Sequence, residues 1–283
     1  MEWPKGAALA VVDYINFVTE PRFVPNTRPF TEAHAIACVD VAVMFQYEGE
    51  DVLASDISRE IGSHLKSLNF KRSKGKKSAL TWKMRGQDGE RLHEAHLHSG
   101  FMHVSAYDYR GWSNSRDFIA QALHPVLLMC ASGQLQGVAY GLAFVDVFIN
   151  DSGSVYEPTE VFSESSEIIS KALFKGGASW KQELSWDVES DVRSSLTARN
   201  RIVKSNDESR KSSAEITEVT REEDYVTEVS LRLSVEVNSE NDQAVEWAEE
   251  NFKAKLNRLH GLNKTIMLDL LSEEMSRTIG LKG

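Results

Sequence analysis

The stretch Glu94-Ala95-His96-Leu97-His98-Ser99-Gly100-Phe101-Met102-His103 gathers three of the chain's eight histidines and one carboxylate within ten positions. If Ser99-Gly100 forms a two-residue hairpin turn, positions whose numbers sum to 199 face one another. His96 then lies opposite His103, with Glu94 and His98 on the same face. Three imidazoles and a carboxylate suit zinc or another divalent transition metal, and an open coordination position would hold a metal-bound water. The opposite face carries Ala95, Leu97, Met102, Val104 and Ala106 and reads as core, so the histidine side is equally the pattern of a solvated polar face. A register slip of one residue would disperse the cluster.

A second candidate is Phe70-Lys71-Arg72-Ser73-Lys74-Gly75-Lys76-Lys77, in which Lys71, Arg72, Lys74, Lys76 and Lys77 could grip phosphates of a nucleic acid. Phe70 or Trp82 could stack a base there, and a solvated hairpin tip is the plain alternative. Lys74-Gly75-Lys76-Lys77-Ser78 lacks the leading glycine of a phosphate-binding loop, which argues against nucleotide hydrolysis by that route. Asp146 interrupts an apolar run, where an ionised carboxylate is costly unless paired, and Asp40 raises the same question. Either acid could be a structural partner of a nearby amide or cation, or a ligand to a substrate or metal. His260-Gly261 reads as a helix end, with the imidazole at the negative end of the dipole and glycine as the left-handed cap. Gly-x-Ser-x-Gly and His-Glu-x-x-His do not occur, and neither cysteine has a recognisable catalytic setting.

These residues need a scaffold, and 283 residues with 41% hydrophobic and 26% charged side chains can build one large domain or two modest ones. The net charge of −10 opposes a whole-surface attraction to nucleic acid or anionic lipid. It is unevenly spread: residues 1–150 hold 15 basic and 16 acidic residues, and residues 151–283 hold 17 and 26. Two cysteines, Cys38 and Cys130, encode neither a disulfide framework nor a cysteine-based zinc site. The apolar stretch near the N-terminus is too short for a secretory segment and no window suits a membrane span, so a cytoplasmic location is expected.

Periodicity predicts a strand over 35–47, a helix over 52–68, hairpin strands at 78–85, 91–98 and 101–108, a helix over 114–132 containing Pro125, and a doubly apolar strand at 135–149. Asn150-Asp151-Ser152-Gly153-Ser154 is the best boundary between an N-terminal half, 1–150, and an acidic C-terminal half, 151–283. Beyond it, a helix over 159–174 precedes strands at 178–188, 194–204, 213–220 and 225–237, then helices at 241–260 and 263–279. The expected fold is therefore α+β, with two similar halves, each a mainly antiparallel sheet with packed helices in the order helix, four strands, helix.

Three stretches carry a family resemblance. Tyr109-Arg110-Gly111-Trp112 entering a helix, Gly141-Leu142-Ala143-Phe144-Val145-Asp146-Val147-Phe148, and Leu259-His260 before the terminal helix together resemble an uncharacterised, sporadically distributed prokaryotic protein family. Ala143 and Asp146 stand where that family's pattern has arginine and asparagine. The resemblance transfers no activity, and its patchy occurrence implies mobile or defence-associated genes.

Three functional expectations follow. The first is a non-enzymatic binding or regulatory protein, part of a prokaryotic defence or toxin–antitoxin module, whose acidic half masks a basic protein partner. The second is a metal-dependent hydrolase or nuclease centred on Glu94, His96, His98 and His103, with residues 71–77 holding phosphates. The third is a nucleic-acid-binding subunit using residues 70–83. No cofactor other than a divalent transition metal is expected, and no membrane partner.

Overall fold

The computed structural model describes residues 35–48, 52–73, 78–150, 158–175, 179–204, 223–238 and 242–281. The β-branched run beginning at Ile36 forms β1 (Ile36–Gln46), and the amphipathic segment after it forms α1 (Asp56–Ser67), which buries Ile57, Ile61 and Leu65 at helical spacing. Four short strands follow: β2 (Lys71–Ser73), β3 (Leu80–Arg85), β4 (Arg91–Leu97) and β5 (Phe101–Ala106). Then come α2 (Trp112–Ala131), with Pro125 inside it, and β6 (Gln136–Asn150). The remaining chain gives β7 (Trp180–Glu189), β8 (Val192–Lys204), β9 (Glu223–Glu236), the single turn α3 (Gln243–Glu246), α4 (Glu249–Leu270) and α5 (Glu273–Thr278).

All nine strands join one antiparallel sheet in the order β2-β3-β4-β5-β1-β6-β9-β8-β7. The α+β class is as expected, but the repeated halves are not found. β6 pairs with β9 along its length, from Ala139 opposite Glu236 to Asn150 opposite Tyr225, so one sheet spans both halves.

Strand alternation gives this sheet two faces of different character. Val39, Val41, Val43 and Phe45 of β1 join Ala95, Leu97, Met102 and Val104 on the first face, in one core with Ile61, Ile119, Leu123, Phe252 and Leu256 of the helices. The second face is largely polar yet buried, and carries Asp40, Glu94, His103, Ser105, Glu228, Ser230, Arg232 and Ser234. Only small apolar clusters interrupt it, around Ala42, Ala139 and Ala143 and around Cys38, Val145 and Val147.

Two helix expectations are corrected. Over 159–174 the chain forms only 3-10 turns at Pro158–Glu160 and Leu173–Lys175. Its serines compete with the helix: Ser163, Ser166 and Ser170 hydroxyls accept backbone N–H groups of Ser165, Ile168 and Ala172 at 3.2–3.3 Å. At His260-Gly261 the helix does not end, because the buried stripe of α4 continues through Leu259, Asn263, Ile266, Met267 and Leu270. Burying that stripe outweighs the cost of one helical glycine, about 1 kcal/mol. The strand expected at 213–220 lies outside the described residues, as do Lys74, Lys76 and Lys77.

Candidate functional site

The β4–β5 hairpin has the register that its turn implies. His98 N–H donates to Phe101 O at 2.8 Å, Leu97 faces Met102, and His96 faces His103. Alternation then places Glu94, His96, Phe101, His103 and Ser105 on the polar face, with Thr81 and Lys83 of β3 beside His96 and Glu94. His96, His98 and His103 each offer a ring nitrogen, and these atoms all lie within 4.8 Å of one another. The His96 and His103 ring centroids are 4.5 Å apart, and His98 stacks on Phe101 at 4.2 Å.

Burial and repulsion between neighbouring rings keep His98 and His103 neutral. Burial, reinforced by His96, lowers His98 to about 4, and burial with both neighbours lowers His103 well below the ordinary imidazole range. Neutral imidazole is the form that ligates a metal. His96 Nδ1 lies 3.1 Å from Thr81 Oγ1 and its Nε2 lies 3.5 Å from Glu94 Oε2. His96 Nε2 faces the Glu94 carboxylate, which its N–H stabilises, and Nδ1 faces the Thr81 hydroxyl, so both neighbours fix the ring's orientation and a metal would take the place of one of these contacts.

Glu94 stands beside this cluster rather than within it. Lys83 Nζ lies 2.9 Å from its Oε1 and Arg91 Nε lies 3.2 Å from the same atom, while Tyr107 donates to Oε2 at 3.3 Å. Burial alone would raise its pKa, but His96, Arg91 and Lys83 overcome that and hold it at about 2. Glu94 is therefore a fixed negative charge next to His96. Asp40 continues the polar row on β1. Burial raises its pKa against opposing contributions from Ser105 and Arg232, the latter lying two strands away beyond Ala143.

Of the basic run, Lys71 and Arg72 lie on β2, the edge strand, and Lys74, Lys76 and Lys77 fall outside the described residues. A groove of about 630 Å³ between α1 and β2–β3 is lined by Arg59, Lys66, Lys71 and Arg72. The two helical cations were legible only as a seven-residue spacing on one face of α1. Phe70 and Trp82 are packed in the core beneath the groove and present no open ring for a base. Trp82 pairs with Ala95 whereas Thr81 pairs with His96, so the groove and the histidines occupy opposite faces of the sheet.

Asp146 is also placed by register. A bulge where β1 meets β6 sets it against Ile36, on the face of Phe144 and Leu142. It lines a cavity of about 290 Å³ together with Tyr109, Arg110, His260, Asn263 and Lys264. Burial raises its carboxyl to about 7, and no described cation offsets this. Of the polar neighbours from α4, His260 was read as a helix end, and Asn263 and Lys264 carried no signal because that helix was expected to stop at His260.

No protein-family model matches the chain, and no curated protein matches it. No described helix is long and apolar enough to cross a membrane.

Proposed function

We propose that this chain is a metal-binding protein whose centre is held by His96, His98 and His103 and whose chemistry is metal-assisted hydrolysis. The observation that carries the reading is the convergence of three imidazole nitrogens within 4.8 Å on a rigid hairpin. Three nitrogen ligands suit zinc, cobalt or a similar divalent ion and leave at least one coordination position for water. A metal held there would supply Lewis acidity, lowering the pKa of a bound water and polarising a substrate oxygen. The chain's residues would contribute the three imidazoles, of which burial keeps His98 and His103 neutral, a hydroxyl from Thr81 beside His96 and the negative charge of Glu94. The basic groove lies on the other face of the sheet, so it does not hold the substrate of this centre.

The test is hydrolysis of bis(p-nitrophenyl) phosphate and p-nitrophenyl acetate by protein loaded with one equivalent of zinc. The expected result is turnover that is abolished by a chelator and by His103→Ala. Turnover equal to that of free zinc at the same concentration would overturn the hydrolytic part of the reading.

A second reading, a binding role for the acidic half, is favoured by β7. This is the terminal strand of the sheet, with Glu183, Asp187 and Glu189 exposed along it. Such an edge suits a basic partner strand. If it serves that role, Glu183→Lys with Asp187→Lys removes salt-sensitive binding of a lysine-rich peptide, and unchanged binding counts against it.

A further inference from the structure

We infer that the Asp146 cavity is a binding site for a small organic cation carrying N–H donors and a hydrogen-bond acceptor, separate from the histidine cluster. The cavity lies between the β1–β6 end of the sheet, the turn before α2, α4 and the C-terminal residues 279–281. Two of its polar side chains are more than nine-tenths buried and carry polar atoms that no described residue satisfies. Asp146 is 4% exposed with no described hydrogen bond, and Asn263 is 6% exposed with its Nδ2 donor unsatisfied. A buried acid without a cation and a buried amide donor without an acceptor are each costly unless something else satisfies them. Both open onto the same cavity, whose other walls are aromatic and aliphatic: Phe144, His260, Met267 and Ile279.

Charge decides the ligand class. Burial brings the carboxylate into a low-dielectric wall, where a donated N–H from a cation gains most. The groups facing Asp146 are Tyr109 and Arg110 from the turn and His260 and Lys264 from α4. Arg110 is exposed and paired with Asp108 at 2.7 Å, and Lys264 is exposed. Their charges are therefore screened by water, unlike that of Asp146. His260 is stacked flat on Trp112 at 4.5 Å and is lowered to about 4 by burial and by Lys264, so it stays neutral near pH 7. Burial raises Tyr109 to about 12, so it too is neutral. Among the described residues Asp146 is thus the one carboxyl lining the cavity, within an aromatic wall that suits a planar cation.

This site is independent of the proposed metal centre, since Asp146 lies on the opposite face of the sheet from His96 and His103. It also gathers Tyr109, Asp146 and His260, one residue from each of the three stretches singled out in the sequence.

The probes are benzamidine, benzamide and benzoate, three nearly isosteric molecules that are cationic, neutral and anionic, titrated calorimetrically into the full chain. The expected order is benzamidine tighter than benzamide and benzamide tighter than benzoate. Benzamidine affinity should rise about tenfold between pH 6 and pH 8 as Asp146 ionises. Asp146→Asn should weaken benzamidine at pH 8 by about tenfold or more and remove the pH dependence. Asn263→Leu, which leaves the acid in place, should weaken benzamide, whose carbonyl accepts the Nδ2 donor, several-fold and leave benzamidine, which offers no acceptor, within about twofold. Equal or tighter binding of benzoate, unchanged binding by Asp146→Asn, or no binding of any probe at millimolar concentration each overturns the assignment. His103→Ala should leave benzamidine binding unchanged, which separates this site from the metal centre.

Discussion

His96 and His103 face each other across the β4–β5 pair with ring centroids 4.5 Å apart and planes inclined by 33°. Directly opposed side chains on antiparallel strands are held at a distance set by the backbone, so this pair needs no loop to position it. His98, at the hairpin end, completes a group of three nitrogens without any residue distant in sequence.

The Thr81 hydroxyl, 3.1 Å from His96 Nδ1, orients the ring without being a ligand. Thr81→Val keeps the shape of the side chain and removes the hydroxyl. Zinc affinity should fall about 10–100-fold while the metal stoichiometry stays the same. Competition titration against a chromophoric chelator measures both.

Acid should destabilise the fold through its buried imidazoles. His93, His98 and His260 are each lowered to about 4, chiefly by burial. Their unfolded forms titrate near 6.5, so the unfolded chain binds more protons than the folded one between those values. Stability from this source is complete above about 6.5 and is lost as pH falls toward 4. Thermal melts of the metal-free protein should therefore show Tm dropping between pH 6.5 and 4.5. A Tm constant across that window would contradict the burial of these rings.

The hairpin cluster was legible because register follows from turn length, and a two-residue turn fixes every pair behind it, from Leu97 with Met102 to His93 with Ala106. Strand β6 was equally legible from its run of apolar residues on both faces, and β9 from its alternation. The single sheet was not, because pairing of β6 with β9 is a contact between residues about ninety apart and leaves no local pattern. The Asp146 cavity was legible only in part. Asp146 stood out by its charge, whereas Asn263 lies beyond Gly261, where local propensity predicted a cap and a continuous buried stripe prevailed.

Asp146 should cost the fold stability at alkaline pH. Its carboxyl rises from 3.8 to about 7 on folding, so the neutral form is preferred. The stability associated with protonation is present below about pH 4 and is lost as pH rises through 7. Asp146→Asn should stabilise the protein at pH 8 by up to about 4 kcal/mol and have much less effect at pH 4. Urea unfolding at the two pH values checks this.

Gly137 lies against the indole of Trp247, which is fully buried at the break between α3 and α4. A methyl group at this position would overlap the ring, which is also held by core neighbours Phe252 and Tyr140, with centroids 6.3 and 6.2 Å away. Gly137→Ala should destabilise the chain by about 1–3 kcal/mol and shift the tryptophan emission. Wild-type stability in this variant would show that α3 yields freely.

The central claim is the convergence of His96, His98 and His103 on one metal, and cobalt(II) titration followed by visible absorption tests it most directly. One cobalt per chain is expected, with d–d bands of a four- or five-coordinate nitrogen-ligated site. These should be lost in His96→Ala, His98→Ala and His103→Ala and retained in Asp146→Asn. No cobalt bands at stoichiometric protein, or bands unchanged in all three histidine variants, would contradict it.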